Sequence, residues 1–274
     1  MSLLLAAGLG CGRLASPAAA DGEPKAMTDR LATDLGVVRP ARIVFSHHSV
    51  GVNILAGIER LDAGSAGTGL RLASLEEAAA LEGPVLAHGG GGSNGAPKSK
   101  IDFFAATIRS QPRLKPDMAF MKLCYVDFNP STDVDDLFSY YRRTLESLKS
   151  EHPEIRFAHV TVPLFRRPTD LKSSLRRLLG LEVWEDAANV KRSEYNRRLV
   201  ENFGSDALFD LARAEATGPS GDTSSFEHGG GRYLSLYPSY TEDGGHLNQL
   251  GQREVGAAAI HFLADTLRRP TAAR

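Results

Sequence analysis

Two short segments of the sequence carry residue types that are suited to nucleophilic catalysis. Ser49 follows the apolar run 43–45, which is typical of a buried strand, and precedes a segment with helical spacing of apolar residues. Asp243 and His246 lie three residues apart in a glycine-rich stretch. A serine hydroxyl becomes a strong nucleophile when an imidazole takes its proton and a carboxylate orients that imidazole. Each segment alone has a plainer interpretation, namely a helix N-cap for Ser49 and a turn with a capping histidine for the other pair.

The elements around these residues alternate between strand-like and helix-like patterns. Apolar runs predict five strands, at 42–45, 70–73, 118–124, 155–162 and 207–211. Helical spacing predicts helices at 52–61, 101–108, 134–148, 171–179, 190–203 and 249–267. The alternation predicts an α/β fold, a flavodoxin-like three-layer α/β/α sandwich around a five-stranded parallel sheet. Because ligands bind at the carboxyl ends of such strands, the loops that follow them are expected to share one functional edge.

The order of these motifs resembles that of the SGNH/GDSL hydrolases, a superfamily of esterases and lipases. That family carries its nucleophile after the first strand in a Gly-Asp-Ser motif, and the matching stretch here is Phe-Ser-His-His-Ser at 45–49. The family's late Asp-x-x-His motif matches Asp243 and His246, followed by Leu-Asn-Gln-Leu-Gly at 247–251. The resemblance extends over residues 42–267. It implies Ser49 as the nucleophile, His246 as its base and Asp243 as the acid that orients the base.

The resemblance also implies an oxyanion hole, a set of N–H groups that stabilise the negative charge of a tetrahedral intermediate. Its backbone donors would be Ser49 and Gly92, the latter in the glycine-rich segment 83–98, which is predicted to be a loop. The family's third motif, Gly-x-Asn-Asp, is matched by 124–127, where Val126 replaces the asparagine and cannot donate a hydrogen bond. Asn94 and Asn129 are the candidate replacements for that lost donor.

Four more residues near these motifs are candidates for the site or its support. His47 and His48 stand where the family has Gly-Asp, and they are predicted to stabilise the turn, with substrate or metal contact as the alternative. Asp127 either organises the site at a strand end or is an ordinary turn acid. Lys122 lies inside an apolar strand, and a buried amine needs a partner, for which Asp127 is conceivable.

Three hypotheses about function follow. The first is a serine hydrolase of carboxylic esters that needs no cofactor or metal, and the resemblance suggests an acetyl ester on a carbohydrate or cell-envelope substrate. The second is a non-catalytic glycan-binding protein on the same scaffold, which the loss of the third-motif asparagine favours. The third is a metal-dependent phosphoesterase that uses His47, His48, Asp243 and His246 as ligands.

Composition and side-chain patterns limit the partners. The 274 residues are 42% hydrophobic, which is enough for a globular core. A net charge of -1 shows no basic excess of the kind that nucleic-acid-binding proteins usually have, so no nucleic-acid partner is expected. The resemblance to the SGNH/GDSL hydrolases implies a small ester or acylated carbohydrate as the partner. Arginine pairs at 166–167, 176–177 and 197–198 are predicted to lie on solvated helix faces, with an anionic ligand as the alternative. Tyr233, Tyr237 and Tyr240, in a predicted loop at 217–246, either stack on sugars or anchor the loop.

The amino-terminal segment has the composition of a targeting sequence. An apolar run at 3–9 and three alanines at 18–20 predict a signal peptide or lipoprotein-type leader over residues 1–20. Gly-Leu-Gly-Cys at 8–11 resembles a lipobox, which makes a lipid anchor at Cys11 conceivable. Export to the periplasm, the exterior or a lipid-anchored position is therefore predicted, and the apolar run is too short to span a membrane. A tether is predicted at 21–38, and the hydrolase-like domain at 39–270.

Overall fold

The computed structural model describes residues 23–65 and 69–269, with side chains from residue 29 onward. The predicted leader at 1–20 and Cys11 lie outside these residues. The strands are β1 (Arg42–Ser46), β2 (Leu72–Ser74), β3 (Val85–Gly89), β4 (Met118–Met121), β5 (Arg156–Val160), β6 (Leu208–Phe209), β7 (Ser225–His228) and β8 (Gly231–Leu234). The helices are α1 (Glu23–Val38), α2 (Val50–Ala63), α3 (Leu75–Ala79), α4 (Pro97–Ser110), α5 (Val134–Glu151), α6 (Leu171–Leu178), α7 (Trp184–Phe203), α8 (Leu211–Ala216) and α9 (Gln249–Arg268).

The described residues form a parallel sheet of six strands in the order β2-β3-β1-β4-β5-β6. Without β2, a short strand at the edge, the remaining five follow the order 2-1-3-4-5 of flavodoxin-like folds. The predicted parallel α/β architecture is therefore confirmed, with six strands instead of five. The prediction missed β3 because this strand has only three apolar residues before His88 and a run of glycines, which resembled a loop.

The helices cover both faces of the sheet. On one face, residues of α1, α2, α8 and α9 pack with β1 and β5 around buried side chains such as Ile58 and Ile260. On the other face, α4, α5 and α7 pack around Phe104, Leu145 and Tyr195. A sheet between two helical layers is the predicted three-layer sandwich, and it places the carboxyl ends of all six strands along one edge.

Residues 23–38 belong to the folded domain, where the sequence analysis predicts a tether. They form α1, and Leu35 and Val38 are fully buried in the contact between α1 and α9. Asp34 of α1, itself buried, accepts a hydrogen bond from Arg268 at 2.6 Å. The apolar spacing Leu31, Leu35, Val38 was hidden among polar neighbours that face solvent, so the segment looked polar throughout.

The segment 217–246 contains regular structure as well as loop. Strands β7 and β8 form an antiparallel hairpin, and Pro238–Tyr240 form one turn of 3₁₀ helix. Tyr240 is buried and donates a hydrogen bond to the carbonyl of Thr217, and Tyr237 donates one to Asp222. These two tyrosines therefore anchor the segment. Within the described residues, none of the helices combines the length and the apolar character that crossing a bilayer requires.

Candidate active site

Ser49 lies at the point of the sheet where the strand order reverses. It follows β1, which lies between β3 and β4, and immediately precedes α2. Its backbone has φ 51° and ψ −107°, a conformation that a residue with a Cβ rarely adopts. Its side chain makes no capping hydrogen bond to α2, so the N-cap interpretation does not account for this serine. Strained backbone of this kind persists only where the surroundings enforce it, which is common at functional sites.

The Ser49 hydroxyl is in direct contact with the late motif. Its Oγ lies 2.5 Å from Nε2 of His246, and Nδ1 of the same ring lies 2.6 Å from Oδ2 of Asp243. The three side chains thus form a continuous hydrogen-bonded chain from hydroxyl to imidazole to carboxylate. In this order, the ring can donate its Nδ1–H to the carboxylate, which leaves Nε2 free to accept the serine proton.

Asp243 is held as a carboxylate by its own loop. Its Oδ1 accepts hydrogen bonds from the backbone N–H of Gly245 at 2.9 Å and of His246 at 2.8 Å. Burial acts to raise the pKa of Asp243, but the hydrogen bonds from Gly245 and from the His246 side chain and backbone outweigh it and hold the pKa below its ordinary value. The group is therefore ionised at neutral pH and can orient the imidazole.

Helix α2 also fixes the loop that carries His246. Asn53, one turn after Ser49, accepts a hydrogen bond from the backbone N–H of Leu247 at 3.1 Å through its side-chain oxygen. Gln252 of α9 donates to the Leu247 carbonyl at 2.7 Å, and its own oxygen accepts from Arg60 of α2 at 2.6 Å. The residue that follows His246 is thus bound from both helices. Sequence reasoning missed this arrangement because it depends on the crossing of α2 with α9.

His47 and His48 support the turn that carries Ser49. His47 is buried, its ring packs on Phe45, and its Nε2 lies 3.3 Å from Nδ1 of His88 on β3. Burial, reinforced by the charge of Lys122, lowers the pKa of His47 to about 3. Nε2 of His48 lies 2.9 Å from the carbonyl oxygen of Gly91, which joins the nucleophile segment to the glycine loop. Neither ring is hydrogen-bonded to the Ser49–His246–Asp243 chain.

Gly89, Gly90 and Gly91 all contact the nucleophile segment, most tightly at Gly90, whereas Gly92 does not share these contacts. A Cβ on Gly90 would lie 2.0 Å from the His47 carbonyl oxygen, a distance that excludes any side chain. Gly92 instead lies against the start of α4, where its Cβ would be 2.7 Å from the backbone of Ser99 and Lys100, and its φ of +79° is also one that favours glycine. Gly90 is therefore the glycine of this run that fits most tightly against the nucleophile segment, and the role of Gly92 as an oxyanion donor stays a prediction.

Asp127 binds the glycine loop to the loop after β4. Its carboxylate is fully buried, accepts from Lys100 Nζ at 2.7 and 2.8 Å, and also accepts from the backbone N–H of Gly95 and Cys124. Asp127 thus joins the strand-end loops and at the same time caps the 3₁₀ turn Tyr125–Asp127, so both of its interpretations describe contacts that it makes. Its partner is Lys100 from α4, whereas Lys122 contacts the Leu123 carbonyl at 3.4 Å. The pairing of Lys122 with Asp127 that the sequence made conceivable is not formed, because Lys100 takes that carboxylate, and the alternative of a strand-edge lysine does not apply either, since β4 is an inner strand of the sheet.

The two asparagines proposed as oxyanion donors have other hydrogen-bond partners. The side-chain oxygen of Asn94 accepts from Lys100 at 3.0 Å. That of Asn129 accepts from the backbone N–H and hydroxyl of Ser131 in a local turn. Val126, in the position of the family's asparagine, is 42% exposed. In both asparagines the bonded atom is the side-chain oxygen, whereas an oxyanion would accept from the amide N–H groups, so the role of Asn94 and Asn129 as donors stays a prediction.

Tyr125 and Phe165 form a wall of the site that the sequence did not predict. The Tyr125 ring stands edge-on to the His246 ring at 5.9 Å between centroids, and the Phe165 ring packs on Tyr125 at 5.5 Å. The two rings also pack on the glycines before His246, because a Cβ on Gly245 would meet Tyr125 and one on Gly244 would meet Phe165. The side of the imidazole is thereby covered by aromatic carbon. Only tertiary structure brings Phe165, from the loop after β5, to this place.

A group of buried titratable side chains lies beneath the strand ends. Glu215 is fully buried, accepts from the N–H of Leu164 at 2.7 Å, and has its pKa raised to about 8 by burial. Arg192 is also buried, donates to the Tyr125 carbonyl at 3.0 Å, and has its pKa lowered to about 10 by burial. Burial likewise lowers the pKa of Lys122. These groups hold the backbone of the loops that follow β4 and β5.

Four of the six arginines in these pairs form ion pairs within the protein. Arg167 and Arg177 both pair with the buried Asp186. Arg197 pairs with Glu201 one helical turn away, and Arg198 pairs with Asp135.

Among the residues that the structure describes, no group of three or more His, Cys, Asp or Glu is placed to hold a metal ion. Of the four ligands named in the metal hypothesis, Asp243 and His246 are bonded in the chain to Ser49, whereas His47 and His48 contact His88 and Gly91.

Comparison with known proteins gave two kinds of result. No family model matches the sequence, and no curated protein matches it. Among solved structures, one provisionally described as a platelet activating factor from Streptococcus pneumonia is similar over 88% of this chain and 92% of that chain, with a TM-score of 0.45 and 12% identity. Another, provisionally described as a lipolytic protein of the G-D-S-L family from Desulfitobacterium hafniense DCB-2, is similar over 80% of this chain and 98% of that chain, with a TM-score of 0.44 and 9% identity.

Proposed function

We propose that this protein is a serine hydrolase of carboxylic esters. The observation that carries the proposal is the unbroken chain of Ser49 Oγ, His246 and Asp243, with 2.5 Å and 2.6 Å between the bonded atoms. Hydrogen-bond contact between nucleophile and base, with the base oriented by a third group, is the geometry that activates a serine hydroxyl. The side chains of His246 and Asp243 are 45% and 57% exposed, so the site is open to a substrate from solvent.

The reaction proceeds in two steps. His246 Nε2 takes the Ser49 proton while Oγ attacks the ester carbonyl, and the protonated ring then gives that proton to the leaving alcohol. Water next attacks the acyl-enzyme, with His246 again as base, and the carboxylic acid leaves. Asp243 stays ionised throughout and stabilises the imidazolium that forms in each step.

The oxyanion of each tetrahedral intermediate forms beside the start of α2. The N–H of Ser49 and the amino-terminal end of α2 favour negative charge there. Gly90 is the residue of the glycine loop that fits most tightly against the nucleophile segment, and it joins Gly92 as a candidate second donor. Val126 supplies no donor, and loss of one donor lowers kcat by about 10²–10³. We therefore expect a slow enzyme toward simple esters.

The substrate class that we propose is an acyl ester of the cell envelope, with acetyl esters of carbohydrates as the first to test. The support is the resemblance of the 45–49 and 243–251 segments to the SGNH/GDSL hydrolases and the composition of residues 1–20. A protein exported by such a leader would meet envelope esters. The non-catalytic glycan-binding alternative remains an outcome of the tests below.

Hydrolysis of p-nitrophenyl acetate by the purified full chain tests the proposal. Ser49→Ala should abolish turnover without changing the melting temperature by more than a few degrees. Ser150→Ala, at an exposed serine on α5, is the matched control and should retain wild-type activity. Full activity in Ser49→Ala would contradict the proposal, and a wild-type protein that binds glycans without turning over any ester would favour the binding alternative.

A further inference from the structure

Six large apolar side chains are exposed together on and after α6. They are Leu171, Leu175, Leu178, Leu179, Leu181 and Trp184, which we call the leucine patch, and each is at least 50% exposed, with Leu171 at 86% and Leu178 at 82%. A monomeric soluble protein seldom exposes large apolar residues in such a group, and exposed groups of this kind mark interaction surfaces.

Helix α6 is amphipathic, but its apolar face points to solvent and its polar face points to the protein. Leu171, Leu175 and Leu178 follow the spacing of one helix face, yet α6 has no buried residue. The side that turns toward the protein carries Arg177, which donates to the buried Asp186 at 2.7 Å. The ion pair on the opposite face of α6 therefore directs the apolar face to solvent, and this face does not belong to the hydrophobic core.

The leucine patch belongs to the same edge of the sheet as Ser49. The segment that leads from β5 to α6 contains Phe165, which packs on Tyr125 beside His246. The next residue, Arg166, donates its backbone N–H to the Gly244 carbonyl at 2.7 Å, in the loop of Asp243 and His246. The chain that contacts the loop of Asp243 and His246 at Arg166 thus reaches the start of α6 only five residues later, at Leu171.

Unpaired positive charge accompanies the apolar side chains. Within the described residues, Arg166, Lys172 and Arg176 have no carboxylate within ion-pair distance, whereas Arg167 and Arg177 are neutralised by Asp186. The carboxylate of Asp170 caps the amino terminus of α6. Glu182 lines the same surface cleft as Lys172 and Arg176 but forms no ion pair with either of them. Leucine and tryptophan on one face, with lysine and arginine at its border, is the pattern of helices that lie in the interface of a bilayer.

We propose that the leucine patch docks this protein on the surface of a phospholipid bilayer with anionic headgroups, so that Ser49 acts on esters presented at that surface. The catalytic half of this inference rests on the proposed function, and it narrows the substrate to esters at a lipid surface. Val52, three residues after Ser49, and Val126, next to Tyr125, are also exposed apolar side chains close in sequence to the candidate site. Cationic border residues bind headgroup phosphates, which a second copy of this chain would not offer.

Trp184 provides a direct readout because it is the only tryptophan of the chain and is 52% exposed. The full chain is titrated with vesicles of phosphatidylcholine and phosphatidylglycerol, and tryptophan emission and co-sedimentation are recorded. The emission of the wild type should shift to shorter wavelength, and the protein should sediment with the vesicles. The double variant Leu171→Glu, Leu178→Glu should bind at least about tenfold more weakly, since each buried leucine contributes strongly to transfer from water.

The controls separate docking from catalysis and from folding. Val200→Glu introduces a charge at an apolar residue on α7 that is 43% exposed and lies outside the leucine patch, and it should bind vesicles as the wild type does. Both variants should hydrolyse a water-soluble ester at the wild-type rate. Lys172→Gln with Arg176→Gln should weaken binding to the mixed vesicles and not to pure phosphatidylcholine.

Three results would overturn the proposal. One is a wild-type protein whose tryptophan emission and sedimentation do not respond to vesicles. Another is equal binding by the wild type and by Leu171→Glu, Leu178→Glu. Binding would then come from a part of the chain that both proteins share, such as residues 1–20, and not from the leucine patch. The third is a dimer that this double variant dissociates, with no vesicle binding. Failure of the wild type to hydrolyse a soluble ester is a separate result, which contradicts the proposed function and leaves the docking measurement unaffected.

Discussion

Gly57 of α2 and Gly256 of α9 meet where these two helices cross. A Cβ on Gly57 would lie 1.9 Å from the carbonyl oxygen of Gln252, and one on Gly256 would lie 2.8 Å from the carbonyl carbon of Gly57. The helix that begins after Ser49 and the helix that begins after His246 are therefore packed backbone to backbone. This contact, together with the Asn53–Leu247 hydrogen bond, explains how residues 197 positions apart lie within 2.5 Å.

Gly57→Ala should separate α2 from α9 and displace Ser49 from His246. We expect a loss of about 1–3 kcal/mol in the free energy of unfolding, because added volume has no space to occupy. Turnover of p-nitrophenyl acetate should also fall. Gly36→Ala is the matched control, since a Cβ there meets nothing within 4 Å on the exposed side of α1, and it should leave activity unchanged and raise stability by about 0.5–1 kcal/mol. Equal behaviour of the two variants would show that the helix contact does not position the site.

Asp243→Asn should impair catalysis far more than binding. The amide can donate a hydrogen bond to Nδ1, which would leave the imidazole with its proton on Nε2 and unable to accept from Ser49. We expect kcat to fall by about 10⁴ with little change in KM, by analogy with the same change in the Ser-His-Asp triad of a serine protease. Glu242→Gln alters the adjacent exposed acid and should behave as the wild type. A loss below tenfold in Asp243→Asn would mean that Asp243 does not orient the base.

Lys100→Met should destabilise the protein by about 3–5 kcal/mol, because it leaves the carboxylate of Asp127 buried without its cation. Urea denaturation measures this loss, and the glycine loop should become mobile at the same time. Lys98→Met is the matched control on the same helix, since Lys98 pairs with Asp136 at the surface, where both side chains are about half exposed. That pair should contribute no more than about 1 kcal/mol. Similar losses in both variants would contradict a specific role for the buried pair.

Stability should fall as the pH is lowered from 6.5 toward 3, and His159 should account for part of this slope. Burial, with the charge of Lys149, lowers the pKa of His159 to about 3. Below its ordinary pKa of 6.5 the unfolded state binds a proton that the folded state does not, so this group stabilises the fold above pH 6.5 and ceases to do so as the pH falls to 3. His47 acts in the same direction, and Glu215, with its pKa raised to about 8, acts in the opposite direction.

Comparison with His159→Gln isolates that one contribution. Glutamine preserves a polar partner for Tyr141, which lies 2.8 Å from His159 Nδ1, but does not titrate. Between pH 6.5 and about 4, the unfolding free energy of the variant should change less steeply than that of the wild type, by up to about 1.4 kcal/mol per pH unit. Parallel curves for the two proteins would show that the buried ring is not neutral in the fold.

The sequence predicted what is local and missed what depends on long-range packing. Ser49, Asp243 and His246 were singled out because their motifs stand in the order of the SGNH/GDSL motifs, although each motif alone has a plainer interpretation. Strand β3 was missed because its last residues, His88 and Gly89, interrupt the apolar pattern.

The partners of the candidate residues were the least predictable part of the site. Lys100 and Lys122 are both buried, and only the fold decides which of them lies against Asp127. Tyr125 and Phe165 belong to loops after different strands, so no spacing in the sequence relates either of them to His246. A run of four glycines gave no signal by which Gly90 could be preferred to Gly92.

Covalent labelling of the purified wild type by a fluorophosphonate is the most direct test of the activated serine. We expect a single adduct, located on Ser49 by peptide mass mapping. His246→Ala should slow its formation by several orders of magnitude, and Ser49→Ala should abolish it. A Ser49 that remains unmodified under conditions that label known serine hydrolases, or that reacts equally fast without His246, would contradict the account.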